Sequence, residues 1–204
     1  MRTKLLNRTK LASALAISFM VGVPSVASAA DFFSSDNPVY AGIGYGQATF
    51  DAEFEKFDKP TSSDEKDKGM IFFIGKQYNK NLDIEVFYSD LGDAKGNYQT
   101  DIGPVSIKIN TKVYGVRTNY KFEPISGFIP YVTLGFGKAT GKLTTTPSSL
   151  TVNGERLART ESDTGAVYGV GAQYKYSKDI TLRGEFSKPE DDTQFMYVGV
   201  STSF

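Results

Sequence analysis

The 204-residue chain has no cysteine, no histidine and no tryptophan. The first absence removes disulfide frameworks, thiol nucleophiles and thiolate metal sites. The second removes the commonest general base, the commonest zinc ligand and the usual near-neutral pH switch. A large excess of either charge is missing as well. Of the 23 basic residues four fall in the first ten positions, where none of the 23 acidic residues lies, so the remainder carries a net charge of −4. That balance argues against a nucleic-acid partner, which would call for a basic stripe.

What stands at the start is a leader. Arg2, Lys4, Arg8 and Lys10 precede an apolar run from Leu11 to Val23 and a break at Pro24. Ala27-Ser28-Ala29 fits the small-x-small cleavage rule, with Ser28-Ala29-Ala30 one residue on as the alternative. The run is shorter than the ~20 residues of a spanning helix. Residues 1–29 therefore read as a secretory signal peptide, leaving residues 30–204 as one domain. No later stretch is long and apolar enough to cross a membrane as a helix. An exported chain of that kind can still enter a membrane as a closed β-barrel, where every backbone polar group is paired.

Period-two alternation recurs in eight runs: 39–50, 69–78, 82–90, 105–122, 128–141, 164–176, 180–187 and 193–204. Short connections (79–81, 123–127, 177–179) alternate with longer polar ones (51–68, 91–104, 142–163 and 188–192). That rhythm predicts an all-β, eight-stranded antiparallel up-and-down transmembrane β-barrel with short periplasmic turns and long outer loops. Aromatics beside the short turns, Tyr78, Tyr120, Phe122, Tyr131, Tyr174 and Tyr176, are placed for one interfacial girdle.

Alternation does not say which face is which, and a secreted, lipocalin-like barrel with an apolar interior has the same period. The polar face of the third run carries Asp83 and Glu85, and that of the seventh Arg183 and Glu185. In a membrane barrel Arg183 belongs inside, because an arginine facing lipid at mid-depth costs ~2–4 kcal/mol. The last run favours the membrane: Met196, Val198, Val200, Thr202 and Phe204 share one face, closed by a terminal aromatic.

That terminal Phe204 resembles the signal outer-membrane barrels present to their assembly machinery. The segments "GKQYNKNLDIEVFYSDLG" (75–92) and "GAQYKYSKDITLRGEF" (171–186) are similar to strand-turn-strand units of OmpA-like outer-membrane barrels and their porin-family relatives. The resemblance implies a charged network across the lumen, with Glu85 and Arg183 at its matching positions. Its basic partner on the fourth strand is Arg117 in "GVRTNY", with Lys112 as the second candidate. Where the family has an acid on the sixth strand this chain has Gln173, and Glu185 is the substitute. The network reads as a stabilising plug in preference to a working gate. A barrel alone is implied, without a peptidoglycan-binding domain.

The function expected is that of a non-enzymatic outer-membrane component of a Gram-negative cell envelope, a structural scaffold for surface loops. A narrow or intermittently gated pore is the alternative, since eight strands leave room only for side chains inside. Enzymes on such barrels place a histidine in their catalytic groups, and this chain has none. No cofactor or metal is expected: the loop 51–68 mixes Asp51, Glu53, Glu55, Asp58, Asp64, Glu65 and Asp67 with Lys56, Lys59, Lys66 and Lys68, but lacks EF-hand spacing. The partners expected are outer-membrane lipid and lipopolysaccharide, the barrel assembly machinery, and surface partners reached through the loops.

Overall fold

A computed structural model describes residues 37–50, 62–64, 66–100, 103–146, 151–152, 155–156, 159–190 and 193–204. Eight long strands follow one another: β1 Val39–Phe50, β2 Lys66–Asn79, β3 Leu82–Thr100, β4 Gly103–Lys121, β5 Phe128–Thr146, β6 Arg159–Lys175, β7 Ile180–Glu190 and β8 Thr193–Ser203. Each pairs antiparallel with its sequence neighbours. The ring closes where β1 lies against β8, from Tyr40 opposite Ser203 to Phe50 opposite Thr193. Closure leaves no strand edge in the barrel wall, so the backbone groups there are paired within it. The leader expected over residues 1–29, and most of the loop 51–68 (51–61 and Glu65), lie outside the described residues.

Connection lengths fix the two ends of the barrel. At one end the turns are tight. Between β4 and β5, Ile125 and Phe128 exchange backbone hydrogen bonds at 2.8 and 3.0 Å around Ser126 and Gly127, both at positive φ (50° and 86°). That is a two-residue hairpin turn of the primed type, whose twist matches the flanking strands. At the other end the strands run on past the alternating core. Most of 91–104 and parts of 142–163, expected as loop, are strand instead. Two causes hid them. A bulge between Asp90 and Asp93, with Gly92 at φ 81°, breaks the period on β3, and the outer end of β6, residues 159–163, is polar at every position. A short strand at Ser62–Asp64 pairs with β3 there, and Thr151–Val152 pairs with Glu155–Arg156.

The outer face of the barrel's middle is apolar: Phe72, Ile74, Val86, Val116, Leu134, Phe136, Val170 and Val198 are all exposed. Arg117, Glu85, Glu185 and Arg183 point the other way and are buried. The apolar face is therefore outside, which excludes the lipocalin-like arrangement. Tyr78, Tyr120, Phe122, Tyr174 and Tyr176 are exposed near the short turns, but Tyr131 is only 2% exposed and points into the lumen. It lies one residue out of phase with its neighbours Val132 and Leu134, so it takes the inner face and leaves the girdle.

Inward rings need room, and glycines on neighbouring strands supply it. A Cβ on Gly75 would overlap the Tyr40 ring, and one on Gly171 the Tyr131 ring. Neither ring can retreat, since each carries a buried hydroxyl bonded to a glutamate. Gly171→Ala is therefore expected to lower the unfolding free energy in lipid vesicles by ~1–3 kcal/mol, the usual cost of overpacking. Urea titration followed by tyrosine fluorescence checks it. The paired variant with Tyr131→Ala should recover part of the loss.

Candidate functional site: the charged layer of the lumen

Glu85 on β3 faces Arg117 on β4 directly across the ladder. Arg117 Nε donates to Glu85 Oε2 at 2.8 Å, and its Nη1 donates to Glu185 Oε1 at 2.7 Å. One guanidinium thus joins two carboxylates from opposite sides of the barrel. Arg183 Nη2 lies 2.8 Å from Glu85 Oε1. Two arginines and two glutamates meet at one depth, with their charges balanced.

Tyrosines complete the layer. Tyr40 donates to Glu85 Oε1 at 2.8 Å; Tyr131 and Tyr197 donate to Glu185 Oε2 at 2.8 and 2.9 Å. Tyr197 also accepts from Arg117 Nη2 at 3.2 Å. Strands β1, β3, β4, β5, β7 and β8 are thereby tied together at one level. The remaining faces of the guanidinium groups lie on rings: Arg183 is 4.3 Å from the Phe73 centroid and Arg117 5.2 Å from that of Phe87. Such contacts gain strength when water is excluded. Arg183 Nε and Nη1 have no protein acceptor.

The four residues singled out from the sequence, Glu85, Arg117, Arg183 and Glu185, are the four charges of this layer. Lys112 is not among them. It points outward, half exposed, 3.6 Å from Asp90. Gln173 is buried, directly across the ladder from Arg183, and borders the space on the short-turn side. Phe204 is exposed, and its backbone N–H donates to the Val39 carbonyl at 3.0 Å, holding the chain end to β1. The tyrosine hydroxyls had escaped sequence reasoning. Period two places Tyr40 and Tyr197 on the inner face, but gives no register between distant strands.

On either side of the layer the lumen differs. Toward the short turns lies a second pair, Lys121 with Asp83 at 2.7 Å, and a cavity of about 470 Å³ bordered by Tyr40, Asp83, Lys121, Gln173, Arg183 and Ser201. Toward the long connections the inner face becomes apolar. Ile71, Leu91, Val113, Val167 and Phe195, each at most 2% exposed, pack into a stopper with Ala48, Phe50 and Ala139. A signal for it stood in the sequence: "MIFFI" (70–74) is apolar on both faces, as expected of a strand covered on both sides.

With this geometry in view, comparison with known proteins places the chain. Residues 13–204 match the model of the outer membrane protein beta-barrel domain. The chain belongs to that family. Among solved structures of similar fold are Ail, the attachment invasion locus protein of Yersinia pestis (16% identity, 83% of this chain and 100% of that one, TM-score 0.51), and the outer membrane protein OprG of Pseudomonas aeruginosa (12%, 82% and 96%, TM-score 0.53). The outer membrane protein AlkL, in lipid bilayers, is a third (15%, 82% and 90%, TM-score 0.51). No curated protein matches the chain. This is an outer-membrane β-barrel of the Gram-negative type, and its exposed apolar band is the surface that meets lipid.

Removing one carboxylate from the layer strands a positive charge where water is scarce. Glu85→Ala should lower the unfolding free energy by ~3–5 kcal/mol, the usual cost of breaking a buried pair. Lys112→Ala, which breaks only an exposed pair, should change it little. Equilibrium unfolding of both variants in the same vesicles separates the two.

Proposed function

We propose that the protein is a non-enzymatic structural component of the outer membrane, a sealed barrel that holds its outer strands and loops in place at the cell surface. The observation that carries this reading is the double closure of the lumen. The charged layer bars small solutes at mid-depth, and the apolar stopper above it removes the polar lining that a water file would need. A fixed scaffold suits loops that carry recognition, and β3 to β6 continue well beyond the apolar band. The absence of histidine and cysteine from the sequence speaks against catalysis. The outward, exposed ring of Phe204 suits recognition by the assembly machinery.

A narrow pore is the second reading, favoured by the cavity at the short-turn end, which already carries water-sized space as far as Arg183. To conduct, the barrel would have to open both closures in concert. Breaking the charged layer alone leaves Ile71, Val113, Val167 and Phe195 packed across the path.

Single-channel recording in planar bilayers tests the choice. The sealed barrel gives no steady current, and Glu85→Ala gives none either while it stays folded. Regular openings of the unmodified protein, abolished by fixing the charged layer, would establish the pore instead.

A further inference from the structure

Strands β3 and β6 flank the part of the wall that rises past the apolar band, and among the described residues only one of these two flanks is covered. The edge of β3 pairs with Ser62–Asp64, which lies opposite Lys95, Gly96 and Asn97. The edge of β6 loses its partner. Its last pairing with β7 is Tyr168 opposite Lys188, and the next residue of β7, Pro189, has no N–H with which to continue the ladder. Beyond that point β6 continues to Arg159 against β5 alone, roughly 25 Å of strand. Thr160 to Ala166 are exposed on both faces.

The phase of the ladder tells which backbone groups are left over. At the short turn the Tyr176 N–H donates to the Ile180 carbonyl of β7, and neither register of β6 contains a shift, so its even-numbered residues face β7 throughout. Above Tyr168 the groups without a strand partner are therefore those of Thr160, Ser162, Thr164 and Ala166. One of them has a substitute: the Thr164 N–H donates to Asp163 Oδ1 at 2.8 Å, where a neighbouring strand would place a carbonyl. Natural edges are blunted by lysine, proline, a bulge or inward charge. Here only the last is present. Glu161 and Asp163 take the inner-face phase, opposite Gly141 and Ala139, and Arg159 closes the outer end. The outer-face phase carries Thr160, Ser162 and Thr164, with Lys142 and Lys138 one strand further in. Paired acids of this kind repel an acidic strand and accept a basic one.

We propose that the open edge of β6 receives an extended segment of a basic polypeptide partner, added as a further strand above the end of β7. Its backbone bonds to Thr160, Ser162, Thr164 and Ala166, and its lysine or arginine side chains stand against Glu161 and Asp163. An incoming carbonyl takes the Thr164 N–H and releases Asp163 for the ion pair. In strand addition the main chain supplies affinity and alternate side chains supply selectivity. A second copy in the same membrane presents β6 running in the same direction, so two such edges could not form the antiparallel ladder used throughout this wall. The inference rests on the reading of the outer strands as a scaffold for recognition and is independent of the sealing of the lumen.

The test uses the full barrel in phosphatidylcholine vesicles and a short synthetic peptide alternating lysine with threonine. Peptide affinity and hydrogen exchange at single β6 amides are the readouts. The peptide should bind and slow exchange at Ser162 and Ala166, leaving Glu161 and Asp163, already bonded to β5, unchanged. Glu161→Gln with Asp163→Asn should weaken binding about fivefold, the worth of two exposed pairs. Thr164→Pro should abolish it while keeping the gel shift on boiling, because that N–H takes no part in the β5 ladder. If this variant does not fold, a lysine–proline peptide decides on the unmodified protein. Residues directly opposite share a face, so the threonines of the first peptide are the ones whose N–H groups meet β6, and proline removes them at equal charge. Binding of the lysine–proline peptide as tight as that of the first, or undiminished binding to folded Thr164→Pro, would overturn the proposal and leave charge attraction alone. So would equal binding of a glutamate–threonine peptide. Disulfide-linked dimers of Ser162→Cys barrels formed without peptide would give the edge to a second copy, also against the proposal. None of these failures alters the conductance expected of a sealed barrel, so the two readings fail separately.

Discussion

Inside an eight-stranded barrel a charge has little water to turn to, and taking an ion out of water costs several kcal/mol unless a partner offsets it. Everything at the middle of this lumen follows from that constraint. Arg117 satisfies it for two carboxylates at once, reaching Glu85 through Nε and Glu185 through Nη1. Arg183 balances the count. The carboxylate oxygens then accept from Tyr40, Tyr131 and Tyr197, whose rings fill the cross-section. Those rings fit only because Gly75, Gly171 and Gly44 have no side chain beneath Tyr40, Tyr131 and Tyr197. A small set of polar contacts therefore fixes the inner register of most strands.

The outer register obeys a different solvent. Lipid accepts Val86, Val116, Leu134 and Val198 but not a slip by one residue, which would bring Glu85 or Arg117 to the same surface. Each strand is thus held in phase twice, by lipid outside and by the charged layer inside. Where the strands leave the bilayer, the outer constraint lapses. Polar residues take the outer face while Ala94, Val105 and Ile107 stay buried inside, and bulges such as that at Asp90 to Asp93 are tolerated.

This explains what could be read from the chain beforehand. Strand number, the closed antiparallel order and the outward apolar face were legible, because each is written in period two and in connection length. Glu85, Arg183 and Glu185 stand in the two hairpins that carried the resemblance, and Arg117 was chosen from the fourth strand outside them. The outer parts of β3, β5 and β6 were not, because a bulge shifts the phase on β3 and polar residues fill the outer end of β6. Nor was the apolar stopper, assembled from Ile71, Leu91, Val113, Val167 and Phe195 on five strands whose relative heights depend on register. Tyr131 shows the limit at a single residue: its position by a short turn suggested the girdle, while its phase sends it to Glu185.

The central claim is that water reaches the charged layer from the short-turn side and stops there. The absence of cysteine makes that directly measurable with single introduced thiols. In the folded barrel in vesicles open to reagent on both sides, a membrane-impermeant maleimide should label Ser201→Cys, at the cavity, within minutes. It should leave Val167→Cys, in the stopper, unlabelled until urea unfolds the protein. Labelling of Val167→Cys in the folded barrel at the rate of Ser201→Cys would mean a continuous water path through the lumen and would contradict the account.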